Sequence, residues 1–197
     1  MAKDLDDLRQ EITGRIKRAF EGTIKVGWID GNGSGEKANE NRLFREATGQ
    51  PTNALGVPYS LAGIARTLNF GRQAGTTAEG RSYPEIPARP FMTLAIDQIK
   101  RDLPVLLKHD PRARELINNA IQGEGDPDGL KKYLGAVFVG TVKRAMRGEF
   151  GQFVPLSPKT IEQRRKPHGN KAANNNPQPL IDSGLLVNSV TFEITKD

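Results

Sequence analysis

Cysteine is absent from this 197-residue chain, which excludes disulfides, thiolate nucleophiles and cysteine-ligated zinc or iron–sulfur sites. Histidine is scarce as well. His109 and His168 are the whole complement, too few for a histidine-rich metal centre. Long apolar runs are also missing: Tyr133 to Val142, the most apolar window, is about half the roughly 20 residues a bilayer span needs. The opening Met1-Ala-Lys-Asp-Leu-Asp-Asp7 carries acids where a secretory signal carries its apolar stretch. The expectation is a soluble protein made in a cytoplasm, without membrane contact.

What is present is enough to bury one core: 36% of residues are hydrophobic, consistent with a single domain over 1–197. With 21 glycines and 13 prolines, long loops are expected, at 31–57 and 72–90. The net charge of +6 suits an acidic protein face or a polyanion, although charge speaks to association and not to fold.

Leu5, Leu8, Ile12, Ile16 and Phe20 follow a 3.6-residue period and predict an amphipathic helix from Asp4 to Phe20. Thr23 to Asp30 alternates as a half-buried strand through Ile24, Val26 and Trp28. Pro58-Tyr59-Ser60 opens a second helix that Gly71 closes with a left-handed cap. A third runs from Phe91 to Asp102, where Pro104 is expected to kink or restart it. Asp110-Pro111, Asp126-Pro127 and Ser157-Pro158 each read as an N-cap followed by a first-turn proline. The helix after Asp126 should turn Leu130, Leu134, Val137, Phe138, Thr141 and Ala145 inward, and Lys131, Lys132, Lys143, Arg144 and Arg147 outward. Val190, Phe192 and Ile194 alternate as a closing strand. A lone strand cannot satisfy its backbone groups, so the two terminal strands should share one small sheet under the first and longest helices. The predicted class is α+β.

Three patterns bear on chemistry. Asp30-Gly-Asn-Gly-Ser-Gly-Glu36 begins like an EF-hand calcium loop, but Asn41 stands where the bidentate Glu belongs, and Gly-Lys-Ser/Thr is missing for a phosphate loop. His168, Asp182 and Ser183 are close in sequence, yet Asp-Ser-Gly is no strained nucleophile elbow, and a turn-capping role for Asp182 or Ser183 fits better. No catalytic residue, cofactor or metal is assigned. The third pattern is the basic group Lys159, Arg164, Arg165, Lys166 and Lys171, offset only by Glu162. Cations at this density can hold phosphates without sequence preference, and they equally suit an acidic protein or plain solvent. No aromatics interleave as stacking platforms would require.

Four segments also carry a resemblance. Leu61-Ala-Gly-Ile-Ala-Arg-Thr-Leu-Asn-Phe-Gly71, Ile86-Pro-Ala-Arg-Pro-Phe-Met92, Leu156-Ser-Pro-Lys-Thr-Ile161 with Arg164-Arg165, and Pro179-Leu-Ile-Asp-Ser-Gly184 with Ser189-Val-Thr-Phe192 occur in that order. Together they resemble the tail-component family of tailed bacteriophages, also described as tail-completion, neck or virion-morphogenesis proteins. The chain departs from that pattern at Asn69-Phe70, which lacks the family's Glu before Phe-Gly, and in the length of 31–57. The resemblance implies a non-enzymatic virion protein at the head–tail junction, synthesised in the host bacterial cytoplasm. Such a subunit forms a ring, a hexamer or else a dodecamer. It would join a portal-side connector to a tail terminator or tail tube protein, with nonspecific contact to the genomic double-stranded DNA. The segment Arg89-Pro90-Phe91-Met92 is the interface expected to meet a copy or neighbour, with Leu43 and Phe44 in the long loop as a second anchor. The competing reading is a basic nucleic-acid-binding accessory protein without sequence preference.

Overall fold

A computed structural model describes residues 4–29, 61–77, 80, 82–166 and 174–195. Leu43 and Phe44, the 30–41 loop, the Pro58 helix start, His168 and Lys171 lie outside those residues. The fold is α+β. In chain order come α1 (Leu5–Phe20), β1 (Thr23–Gly27), α2 (Leu61–Phe70), β2 (Gly75–Thr76), β3 (Ser82–Tyr83), α3 (Phe91–His109), α4 (Pro111–Gln122), α5 (Gly129–Met146), α6 (Pro158–Arg165), α7 (Leu185–Asn188) and β4 (Thr191–Thr195). Among the described residues no helix is long and apolar enough to cross a membrane.

The two terminal strands pair antiparallel, with Thr23 opposite Thr195, Lys25 opposite Glu193 and Gly27 opposite Thr191. The opposed charges at Lys25 and Glu193 favour that register. α5 lies across both strands. It can come that close because of Gly135: a Cβ there would stand 2.7 Å from Phe192 Cγ. α1 does not cover the sheet as expected but packs chiefly on α4 and then α5. Arg15 donates to the carbonyls of Ile121 and Gln122 at the end of α4, at 3.2 and 2.8 Å.

Lys131 corrects the expected polar face of α5. It is buried, and its Nζ donates to Arg18 O (3.2 Å) and Glu21 O (2.8 Å) while pairing with Asp128 at 2.8 Å. Carbonyls at the end of α1 have no intrahelical partner, so a cation threaded beneath them satisfies what the helix cannot.

The caps follow the sequence at two sites of three. Asp110 Oδ1 accepts from Ala113 N at 2.8 Å, and Ser157 Oγ from Thr160 N at 3.2 Å. Asp126 instead closes a turn through Asp128 N, and α5 starts later, with Asp128 as its N-cap. Pro104 neither kinks nor restarts α3, which runs on to His109. Pro104 and Lys100 are both exposed, so the hydrogen bond proline cannot make is lost on the solvent side.

The core gathers Ala65, Phe91, Ala95, Val142, Ala145, Met146, Leu180, Val187 and Val190, drawn from α2, α3, α5, α7 and the flanks of the last. Trp28 bounds it, stacking edge-on against Phe91 at 6.0 Å and donating from Nε1 to Leu186 O at 2.9 Å.

Candidate functional site

Gly71 has φ of 76°, and a Cβ on it would come within 2.8 Å of Ala88 N and Ile86 O. Only glycine therefore lets the chain leave α2 and lie against the 86–90 segment. Arg72 and Ile86 then exchange backbone hydrogen bonds of 2.8 and 2.7 Å. Within 72–90, expected as a long loop, β2 pairs antiparallel with β3 over two residues beside the Arg72–Ile86 bridge. The Arg72 guanidinium rests 4.2 Å above the Tyr83 ring.

Arg89 N donates to Leu68 O at 2.9 Å, and Met92 N to Asn69 Oδ1 at 3.0 Å. Asn69, buried at the end of α2, thereby caps the first turn of α3. Sequence reasoning missed this role. The available signal was an amide side chain just before the Phe-Gly that ends a helix.

Two of the expected interface residues are occupied internally. Phe91 is fully buried in the core, and Arg89 is 4% exposed with its Nε donating to Val154 O at 3.3 Å. Apolar rings gain most where water is fully excluded, so Phe91 anchors its own chain. Burial and, secondarily, the charge of Arg164 pull the Arg89 pKa down, yet a guanidinium remains charged at neutral pH. Met92 is half-buried.

The basic group divides in the same way. Arg164, its side chain 11% exposed, sends Nη1 to Asn176 O (3.2 Å), Gln178 O (2.9 Å) and Ile181 O (3.0 Å). Its Nη2 reaches Pro179 O at 3.3 Å, and its Nε stands 3.5 Å from Asp182. The planar fork of arginine suits such convergent acceptors, and here it clamps the 174–182 strip onto α6. Arg164 is therefore a staple, not a free phosphate ligand. Lys166 pairs with Glu162 at 2.7 Å on the surface. Lys159 and Arg165 are exposed and, among the described residues, carry no ion pair.

Asp182 and Ser183 also serve the strip. Ser183 Oγ accepts from Leu185 N at 3.3 Å, and Asn174 Nδ2 donates to the Asp182 carbonyl. The turn-capping reading of Ser183 is the one the geometry bears out. Beside the staple opens a cleft of about 220 Å³, lined by Leu61, Leu68, Leu180, Leu186 and Arg164.

The surface keeps several large apolar side chains. Phe70 is 73% exposed, and Ile96, Val105 and Val154 are exposed as well. Comparison with protein-family models, with curated proteins and with solved structures finds no match for the chain in any of the three.

Proposed function

We propose that this chain is a structural subunit of a phage head–tail junction, a tail-completion or neck protein that works by fitting against copies of itself and its neighbours. The observation that carries the reading is the meeting of the four resembling segments. The 61–71 helix, the 86–92 segment, α6 and the 179–192 closing stretch are far apart in sequence. They meet through Met92 N on Asn69, Arg89 N on Leu68 O, Arg164 on the Pro179 and Ile181 carbonyls, and Ala65, Leu180 and Val190 in the core around Phe91. A pattern that meets in space behaves as one architectural unit, which is what supports a shared scaffold over a chance run of short motifs.

Phe70, Ile96 and Val154 are exposed apolar side chains that subunit contacts would bury. Ring closure needs heterologous contacts, in which one patch meets a different patch on the next copy. Such a ring would seat a portal-side connector on one face and a tail terminator or tube on the other, around the DNA channel.

Negative-stain microscopy of the purified chain, alone and with its neighbouring virion proteins, tests this. Closed symmetric rings are expected; a chain that stays monomeric in every mixture defeats the reading. The nucleic-acid alternative draws on exposed Lys159 and Arg165. It would be favoured by tight, salt-dependent binding of the isolated monomer to duplex DNA.

A further inference from the structure

The apolar stripe of α1 is only partly used by the fold. Leu5 is 75%, Phe20 50%, Leu8 44% and Ile16 38% exposed, while Ile12 is half-buried. Attachment to the body runs through Ala19 and Arg15, on the Leu8 and Ile12 side of the stripe, where Arg15 holds the end of α4, and the Leu5, Ile16 and Phe20 side is the more open one. Leu5 and Phe20 are left largely in water and Leu8 and Ile16 in part, and the exposed apolar area forfeits about 25 cal/mol per Å² that burial would return.

We propose that α1 binds α1 of a second copy, antiparallel, about a two-fold axis passing beside Ile12. The spacing of the stripe is nearly palindromic about that residue. Leu8 and Ile16 lie about 6 Å to either side of Ile12, and Leu5 and Phe20 about 10–12 Å, at 1.5 Å of rise per residue. Reversal of the helix therefore sets Leu8 over Ile16 of the second copy, Ile12 over Ile12, and Leu5 over the region of Phe20.

Charge gives the same answer. The first turn carries Asp6 and Asp7, after Asp4 at the N-cap, and the last turn carries Lys17 and Arg18. A parallel pair would stack acids on acids and bases on bases. An antiparallel pair brings each acidic end to a basic one and opposes the two helix dipoles. Asp6 and Lys17 are close to three turns apart and so flank the stripe on one side, in position to meet across the axis. Within its own chain Asp6 has an exposed contact with Arg9, at 4.0 Å, which contributes little.

This contact is isologous and closes on itself, so it does not build a ring and does not depend on the ring reading. Two helices about 24 Å long form a small interface. Its affinity belongs in the range of weak, transient complexes.

Sedimentation equilibrium of the full chain reads the pair directly. A concentration-dependent dimer is expected, weakened at least tenfold by Leu8→Asp or Ile16→Asp, and also weakened by Leu5→Asp, where the side chain is 75% exposed and circular dichroism should match the parent's. Asp6→Lys and Lys17→Asp should each weaken it, and the two together should restore it. Because the chain has no cysteine, Ile12→Cys offers a clean second readout: mild oxidation should give a cross-linked pair, whereas Val105→Cys should not. A chain monomeric at several hundred micromolar, a dimer indifferent to Leu8→Asp, or cross-linking at position 105 but not 12 would overturn the proposal. Rings are scored separately by microscopy, so loss of the pair and loss of the ring are distinguishable.

Discussion

Arg164 and Gly135 illustrate how single side chains hold distant parts of this chain together. Arg164 satisfies four carbonyls of one strip at once. Replacing it leaves those acceptors partly buried and without a donor, a cost of about 3 kcal/mol. Arg164→Ala should therefore lower stability by about that much in urea titration. Arg164→Lys should recover only a minority, since a point charge cannot reach a fan of acceptors. Hydrogen exchange would place the loss in 174–182, and an effect confined to DNA binding with unchanged exchange there would refute the staple. Gly135 presents the opposite problem, an absence that must be preserved. A methyl group at that position intrudes on the Phe192 ring near its Cγ, where rotation of the ring cannot clear it. Gly135→Ala should destabilise the fold by about 1–3 kcal/mol, despite the higher helix propensity of alanine. Phe192→Leu in the same chain should relieve part of that loss, and equal stability of Gly135→Ala and the parent would contradict the close approach.

Helices were the most readable elements because their signals are local. The Asp110-Pro111 and Ser157-Pro158 caps and the Gly71 stop depend on hydrogen bonds and dihedral angles within a few residues, and all three are in place. The pairing of β1 with β4 was inferred from the need of each strand for a neighbour. What the sequence could not reveal is which cations turn inward. Lys131, Arg89 and Arg164 look like surface residues by type, and only the tertiary fold brings orphan carbonyls to them. The stripe of α1 misled for a related reason: periodicity announces an apolar face without saying whether the same chain covers it. The Asp110 cap carries a pH signature. The Ala113 N–H first, then the Tyr133 hydroxyl and the Arg112 N–H, hold its carboxyl below the usual aspartate range, against an opposing effect of desolvation. A depressed folded-state pKa contributes stability above the ordinary value of about 4, and loses it as pH falls through the lowered one. Asp110→Asn keeps a capping oxygen but cannot titrate. Its unfolding midpoint should fall less steeply than the parent's between about pH 5 and 2, and parallel acid limbs would show that the cap is not linked to protons.

At the scale of the molecule, the surplus of +6 overstates the cationic surface open to a polyanion. Arg15, Arg89, Lys131 and Arg164 all donate to backbone carbonyls inside the fold. Around α6, among the described residues, the exposed remainder is Lys159, Arg165 and the paired Lys166. The proposed ring would be compatible with so few, because it multiplies a weak contact by its copy number. A monomeric DNA-binding accessory would need the cations free. Lys159→Glu with Arg165→Glu separates these requirements. Both side chains are exposed and unpaired among the described residues, so stability should stay within about 0.5 kcal/mol of the parent. The monomer's affinity for duplex DNA should be weak to begin with. If both residues contact phosphates, their loss should lower the slope of log affinity against log salt by about 2. A parent monomer that binds tightly, with a slope of six or more that falls by about 2 in the double variant, would favour nucleic-acid binding over assembly. A parent with little affinity, whose rings are unchanged by the reversal, leaves these cations facing water and assembly to the apolar surfaces.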